Sequence, residues 1–372
     1  MGGSGTSYGR VVVKVGSSLL SAPDGGLDVA FMEALVEQVA RLHERGTEAV
    51  IVTSGAIAAG IERLDWEERP RAMPALQAAA AVGQVRIIGT YAELFAAHDL
   101  PVGQVLVTRH DTAHRAQYLH ARDTLEKLLA LGVVPVVNEN DTTAVDEIRF
   151  GDNDTLAALV GTMVKADLVV LLTDIEGLYS ADPRADEGAA LLEHVDELTE
   201  EMLAAAGGPG STLGSGGMAT KLEAARVLMK AGIPMVVCDG RRPDVVVDAA
   251  SGGCVGTFFA GDACSIGSRK TWIALGRRPA GTIVVDAGAA EAVRTRGKSL
   301  LPAGVLSVSG PFQPGDAVLI QDAEGRTVAR GLVEMSSADL DRVKGLKTSE
   351  IPGILAGYKG EEVIHRDRLV LL

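Results

Sequence analysis

Aromatic residues, cysteines and positive charge are all in short supply in this chain, and each shortage removes a class of explanation. Phenylalanine, tyrosine and tryptophan make up 3% of the 372 residues, so Val, Leu, Ile and Ala must fill the core. The three cysteines, Cys238, Cys254 and Cys264, are odd in number and not at metal-ligand spacing. They read as reduced thiols of a cytosolic protein. A formal net charge of −14 argues against general nucleic-acid binding. The first apolar run is short and interrupted by Lys14, so neither a signal peptide nor a membrane span is expected. The sequence also offers no convincing Ser-His-Asp or Cys-His constellation.

What is present is ordinary for a folded protein: 47% hydrophobic and 23% charged residues, with length enough for two domains. The leading MGGSGTSYG is expected to be a disordered tail. The most informative stretch runs from Val133 to Asp174. It opens on VVPVV, a run that suits a strand buried on both faces of a parallel sheet, and ends in Asn138-Glu139-Asn140-Asp141. Gly151-Asp152-Asn153-Asp154 then precedes an apolar helix. A second strand, Leu168 to Leu172, ends in Thr173-Asp174. Helix caps and turns favour the same residue types, but such clusters at strand ends also mark the edge where open α/β sheets bind ligands.

Two lysines sit beside glycine turns. Lys14 lies near the end of the valine strand VVVKVG, followed by Gly16-Ser17-Ser18; it either snorkels from an edge strand or projects into an anion site. Lys221 follows GGPGSTLGSGGMAT, a glycine loop leading into a helix. Gly214 to Ala219 fits G-x-G-x-x-A, but no strand precedes it, and the Walker spacing fails. Thr53-Ser54-Gly55 forms a third polar turn between strand and helix. His110 and His114 flank Asp111 at i and i+4, a weak echo of a zinc motif, with surface histidines the simpler reading.

The remaining pattern predicts helices over 31–45, 72–98, 118–131 and 186–206, and reads VVVDAASGGCVGTFF as continuing the strand that ends at Cys238. From about Gly281 short alternating segments with Gly/Pro turns indicate a small β-rich domain. It holds 11 basic and 12 acidic residues, net −1, against 24 and 37, net −13, for the rest. Cationic lysines, acid-amide clusters and a Thr-Asp pair suit phosphoryl transfer from a nucleotide, where positioning and charge neutralisation do most of the work.

The blocks VVVKVGSSLL, VIVTSGAIAAG, VVPVVNENDTTAV, FGDNDTLAALV, LLTDIEGLYSADPR and GSGGMATKLEAA resemble the amino-acid kinase family, in its branch that phosphorylates glutamate. GTIVVDAGAAEAV, KSLLPAGVLSVSGPFQPGDAVLI and RTVARGL resemble a PUA domain. The resemblance implies a three-layer αβα domain with a mainly parallel sheet over residues 10–265. A linker over 266–280, a β-barrel-like PUA domain over 281–360 and a final segment over 361–372 would follow the tail of 1–9. It also implies ATP- and Mg²⁺-dependent phosphorylation of the L-glutamate γ-carboxylate, the first step of proline synthesis. Lys14 and Lys221 match the lysines that stabilise the moving phosphoryl group, and Asp152 the acid holding them. Ser54, Asp141 and Asn153 match glutamate-binding positions. Lys14, Thr173, Asp174, Ser215, Gly216, Gly217, Met218, Ala219, Thr220 and Lys221 match the ATP site; no metal ligand is assigned. Further implications are a cytoplasmic homo-oligomer, dimer or tetramer, and proline as feedback inhibitor. Two rival readings remain, an RNA-binding or RNA-modifying protein acting through the PUA region and a non-catalytic amino-acid sensor. The low charge of the tail and the scarcity of aromatics there (Phe312, Tyr358) weigh against the first, and intact Lys14, Asp152 and Lys221 against the second.

Overall fold

The computed structural model describes residues 8–22, 25–108, 115–143, 153–181, 188–205, 217–262, 279–355 and 362–371. The chain divides into two compact units, Met1–Ser265 and Ile266–Leu372. Expectations for the tail before residue 8, for His110 and His114, and for most of the 266–280 linker fall outside the described residues.

The first unit is built on strands β1 (Arg10–Val15), β2 (Glu48–Val52), β3 (Val102–Val107), β4 (Val134–Glu139), β5 (Leu168–Thr173), β6 (His194–Val195), β7 (Met235–Asp239) and β8 (Thr257–Phe259). They form one sheet in the order β3-β4-β2-β1-β5-β7-β8-β6. Pairing is parallel from β3 to β7; β8 turns antiparallel to β7, with β6 parallel to β8. The chain moves outward from β1 in both directions, so β1 marks the point where strand order reverses and where an α/β sheet opens a crevice at its carboxyl edge.

Both faces of the parallel strands are covered, which is why they read as valine runs without alternation. Val11, Val13, Val15, Ile51, Val136, Val170 and Leu172 join one buried cluster with residues of α1 (Val29–Glu44), α3 (Met73–Ala96) and α8 (Val245–Ala250). The alternate residues, Val12 and Lys14 among them, face the other layer. There α5 (Asn153–Met163) packs on β1, β2, β4 and β5, and α7 (Met218–Lys230) packs on α5 and β7. Helix α4 (Arg115–Ala130) covers β3 and β4, and α6 (Glu200–Ala205) is a short helix. Helices α2 (Ala56–Arg63) and α3 lie unusually close. A Cβ at Gly60 would sit 1.7 Å from the Ala79 carbonyl oxygen, and one at Gly83 1.8 Å from that of Ala56. Only glycine permits that approach.

Two expectations fail here. VVVDAA is not strand but α8, entered from Asp244 in a left-handed conformation, with the Val246 amide donating to the Gln38 side chain at 2.9 Å. Burial against α1, β5 and β7 overrides valine's preference for strand. Nor are residues 186–206 one helix. Tyr179 bridges to Leu191, His194–Val195 forms β6, and only Glu200–Ala205 is helical among the described residues. Local acidic composition carried that reading, and sheet pairing outweighs it.

The second unit contains β9 (Gly281–Val285), α9 (Ala287–Arg296), β10 (Val305–Ser309), β11 (Ala317–Gln321), β12 (Thr327–Leu332), α10 (Ser337–Val343) and β13 (Leu369–Leu371). The strands pair as β10-β9-β11-β12-β13, parallel only between β9 and β11. Phe312 lies in its core, 1% exposed, so this ring is not a base-stacking platform. No helix among the described residues is long and apolar enough to cross a membrane.

Candidate active site

The buried lysine of β1 finds its partner one layer away. Lys14 is the fifth residue of β1, opposite Val52 of β2 and Leu171 of β5, so its side chain points towards α5. Asp154, in the first turn of α5 and fully buried, meets it: Nζ lies 2.5 Å from Oδ1. Lys221, in the first turn of α7, reaches the other oxygen, Oδ2, at 3.3 Å. The Thr220 hydroxyl lies 2.9 Å from the same oxygen and 2.7 Å from the Gly217 carbonyl. Burying a lone ammonium would be costly; here two share one carboxylate. Burial alone would raise the Asp154 carboxyl, but Lys14 and then Lys221, with hydrogen bonds from Lys14 and Thr220, bring it down to about 2. The cluster therefore carries a net positive charge at the carboxyl edge of the sheet, with the first turns of α5 and α7 beside it. Such a place suits an anion, and phosphate in particular.

Among the described residues, the acid that holds both lysines is Asp154. The sequence reading gave that role to Asp152, which lies outside the described residues.

A second polar group sits beside the first. Asn153, the first residue of α5, directs its Nδ2 at the Thr53 carbonyl (2.6 Å), the Ser54 hydroxyl (3.0 Å) and Asn138 Oδ1 (2.9 Å). Asn138 Oδ1 also accepts from the Glu139 amide at 2.9 Å, while Asn138 Nδ2 donates to Gln84 Oε1 at 2.8 Å. The ends of β2 and β4 and the start of α5 are thus tied into one amide-hydroxyl patch. Gly55, at φ +85°, turns the chain from Ser54 into α2, a conformation that glycine adopts without strain. Asp141, half-buried, lies in the turn after β4, next to Asn140, whose carbonyl accepts from the Thr143 amide at 3.1 Å.

Thr173 ends β5, buried, with its hydroxyl 3.1 Å from Oδ1 of exposed Asp174. Gly217 precedes α7, whose first residues are Met218, Ala219 and Thr220. The structure thus brings Lys14, Lys221 and Thr220 together on Asp154, and Ser54 and Asn153 together on Asn138 and Thr53. Thr173 and Asp174 stand at the end of the neighbouring strand. Ser215 and Gly216 lie outside the described residues. Among those described, no group of three His, Cys, Asp or Glu side chains is placed to hold a metal ion.

Comparison with known proteins gives the family. Residues 9–239 match the amino acid kinase family, and residues 281–355 match the PUA domain. The chain belongs to the amino acid kinase family. A protein of Citrifermentans bemidjiense named glutamate 5-kinase is 48% identical across 98% of this chain and 97% of its own length. Proteins of the same name from Geobacter sulfurreducens and Caldanaerobacter subterraneus are 47% and 46% identical, each across 98% of this chain and 97% and 98% of their own lengths. A solved UMP kinase from Bacillus anthracis is 15% identical, with a TM-score of 0.49, covering 69% of this chain and 98% of that one.

As an amino acid kinase the chain uses ATP as phosphoryl donor, and the two-lysine cluster fits the charge of its phosphates. Sequence reasoning missed Asp154, Asn138, Gln84 and the backbone carbonyl of Thr53. For Asp154 a signal was present. Within α5, Ala157, Ala158 and Gly161 are buried and stand three, four and seven residues after Asp154, a spacing that puts this acid on their face of the helix.

Proposed function

We propose that this protein transfers the γ-phosphoryl group of MgATP to the γ-carboxylate of L-glutamate, giving γ-glutamyl phosphate and ADP. The observation that carries the reading is the pair of buried lysines on Asp154, directly beside the Asn153–Ser54 patch contributed by the same helix start. Full-length similarity to proteins named glutamate 5-kinase supports the choice of substrate.

In the reaction a carboxylate oxygen bonds to Pγ as the bond from Pγ to the β-phosphate oxygen breaks, and ADP leaves with the electron pair. A free carboxylate with an ordinary pKa of about 4.3 is already ionised at neutral pH, so no general base is needed. Lys14 and Lys221 neutralise charge on the transferring group, and Asp154 holds both in place without cancelling both. Thr173, Asp174 and the residues from Ser215 to Lys221 would hold the nucleotide. Ser54 and Asn153 would orient substrate carboxylates, and Asp141 would receive its ammonium. Mg²⁺ bound to the ATP would offset phosphate charge.

The same reading makes this the first step of proline synthesis in the cytoplasm, with proline as feedback inhibitor and a homo-oligomeric assembly. The PUA match makes RNA a candidate partner of the second unit, although the net charge of −1 over residues 281–372 provides little phosphate attraction there.

The test is an ATP- and Mg²⁺-dependent acyl-phosphate trap with hydroxylamine, offering glutamate, N-acetylglutamate and aspartate separately. Hydroxamate from glutamate alone is expected. Hydroxamate only from another acid, or from none, refutes the proposal.

A further inference from the structure

The amide patch ends on a residue of α3 that the reaction has not yet used. Gln84 is buried, 8% exposed, and its Oε1 accepts from Asn138 Nδ2 at 2.8 Å. The orientation of this chain of amides is set by two backbone groups. The Glu139 N–H can only donate, so Asn138 must turn its oxygen towards it; the Thr53 carbonyl can only accept, so Asn153 must turn its NH₂ towards that. Asn138 is then left with its NH₂ facing Gln84, which must present oxygen. Gln84 Nε2 is buried without a partner among the described residues. A buried donor left unmet costs free energy that methionine or leucine would not. Packing alone therefore does not account for a glutamine here.

The height of Gln84 along the site is also fixed. Gly83, its neighbour, packs against the carbonyl of Ala56 in α2, and Ala56 follows Ser54 by two residues. The glycine contact therefore locks α3 to the same turn that supplies the Ser54 hydroxyl.

We propose that Gln84 is a positioning residue of the glutamate site, fixing the Asn138 amide and through it the Asn153 NH₂ beside Ser54. Without the Gln84 oxygen, Asn138 Nδ2 loses its acceptor, and the Asn138 amide is held only through its oxygen by the Glu139 N–H, so the acceptor it offers Asn153 is less firmly placed. The proposal rests on the glutamate reading above and deepens it.

The test is a double-mutant cycle on the full chain. Gln84→Met, close in size and unable to accept a hydrogen bond, is expected to raise KM for glutamate roughly tenfold, as loss of one orienting hydrogen bond would. KM for ATP and kcat should stay within about twofold, a split that a general loss of packing would not produce. Adding Gln84→Met to Asn138→Ala should change KM for glutamate no further, because the two residues act as one unit. Additive effects, or an unchanged KM in Gln84→Met, overturn the proposal. Selective ¹⁵N-asparagine labelling gives a readout independent of turnover and of the substrate's identity. The side-chain amide signals of Asn138 and Asn153 should move in Gln84→Met; if they stay in place, Gln84 positions neither. A wild-type protein that makes no γ-glutamyl hydroxamate would refute the substrate, while the asparagine signals would still decide the role of Gln84.

Discussion

Replacing Asp154 with asparagine should separate binding of the nucleotide from turnover. Asp154→Asn keeps the shape of the side chain and removes the one negative charge between Lys14 and Lys221, both buried. Two estimates bear on the cost. A carboxyl moved from its ordinary 3.8 to about 2 contributes about 2 kcal/mol to folding. Breaking a buried ion pair by removing one partner costs more, about 3–5 kcal/mol, because the other charge is stranded. The second figure decides here, since two ammonium groups lose their counter-charge at once. The folded value lies below the unfolded one, so Asp154's contribution is present above about pH 4 and fades as pH falls from 3.8 through about 2. Denaturant unfolding at pH 7 should therefore show a loss of several kcal/mol that narrows towards pH 2. Turnover in the hydroxamate assay should fall by about 10²-fold or more, because the lysines lose the group that places them. Thermal stabilisation by ATP should persist or grow, since removing the anion raises the local positive charge. Wild-type stability and turnover in Asp154→Asn, with the losses appearing in Asp152→Asn instead, would refute the reasoning.

Three further substitutions probe separate parts of the argument. Lys221→Ala should reduce kcat far more than it raises KM for glutamate, and steady-state kinetics showing undiminished turnover would remove Lys221 from phosphoryl transfer. Ser54→Ala deletes the hydroxyl 3.0 Å from Asn153 Nδ2; KM for glutamate should rise roughly fivefold to tenfold with KM for ATP unmoved, and equal changes in both would contradict its place on the acceptor side. Gly83→Ala places a Cβ 1.8 Å from the Ala56 carbonyl oxygen, so α2 and α3 must separate. A loss of about 1–3 kcal/mol is expected by thermal unfolding, and an unchanged Tm would mean that the contact is looser than described.

Much of this could be read from the residues because parallel-sheet proteins put their chemistry where patterns break. The valine runs identify buried strands, and a polar residue at the end of such a run has few places to go except the carboxyl edge. Lys14 shows how far that goes. Its alternation with Val13 and Val15 sends it to the face opposite α1 and α3, but the strand cannot say which helix start will meet it. That depends on where α5 begins. With Asn153 as first residue, Asp154 falls in the first turn and faces inward with Ala157, Ala158 and Gly161, and helix boundaries are the least certain feature of a sequence reading. The valine-rich α8 fails for a related reason. Its residues are buried by partners far away in the chain, and a local preference for strand has no knowledge of them.

The ratio of charges in the cluster explains why a kinase site can be buried at all. With no acid, two lysines in a dry layer would repel each other and favour their neutral forms. With two acids, the cluster would be neutral and would offer a phosphate no net attraction. One fully buried carboxylate shared by two ammonium groups, its own proton lost down to about pH 2, offsets one of the two positive charges and leaves the other uncompensated within this group of three residues. On the proposed reading, that surplus would meet the approaching phosphoryl group and is held in place before the nucleotide arrives, so little reorganisation would be needed as charge moves. The same helix start that supplies this acid also supplies Asn153, one residue earlier, to the neighbouring patch. On the proposed reading, donor and acceptor sides are both set by a single turn of α5, and a shift of that turn would disturb both together.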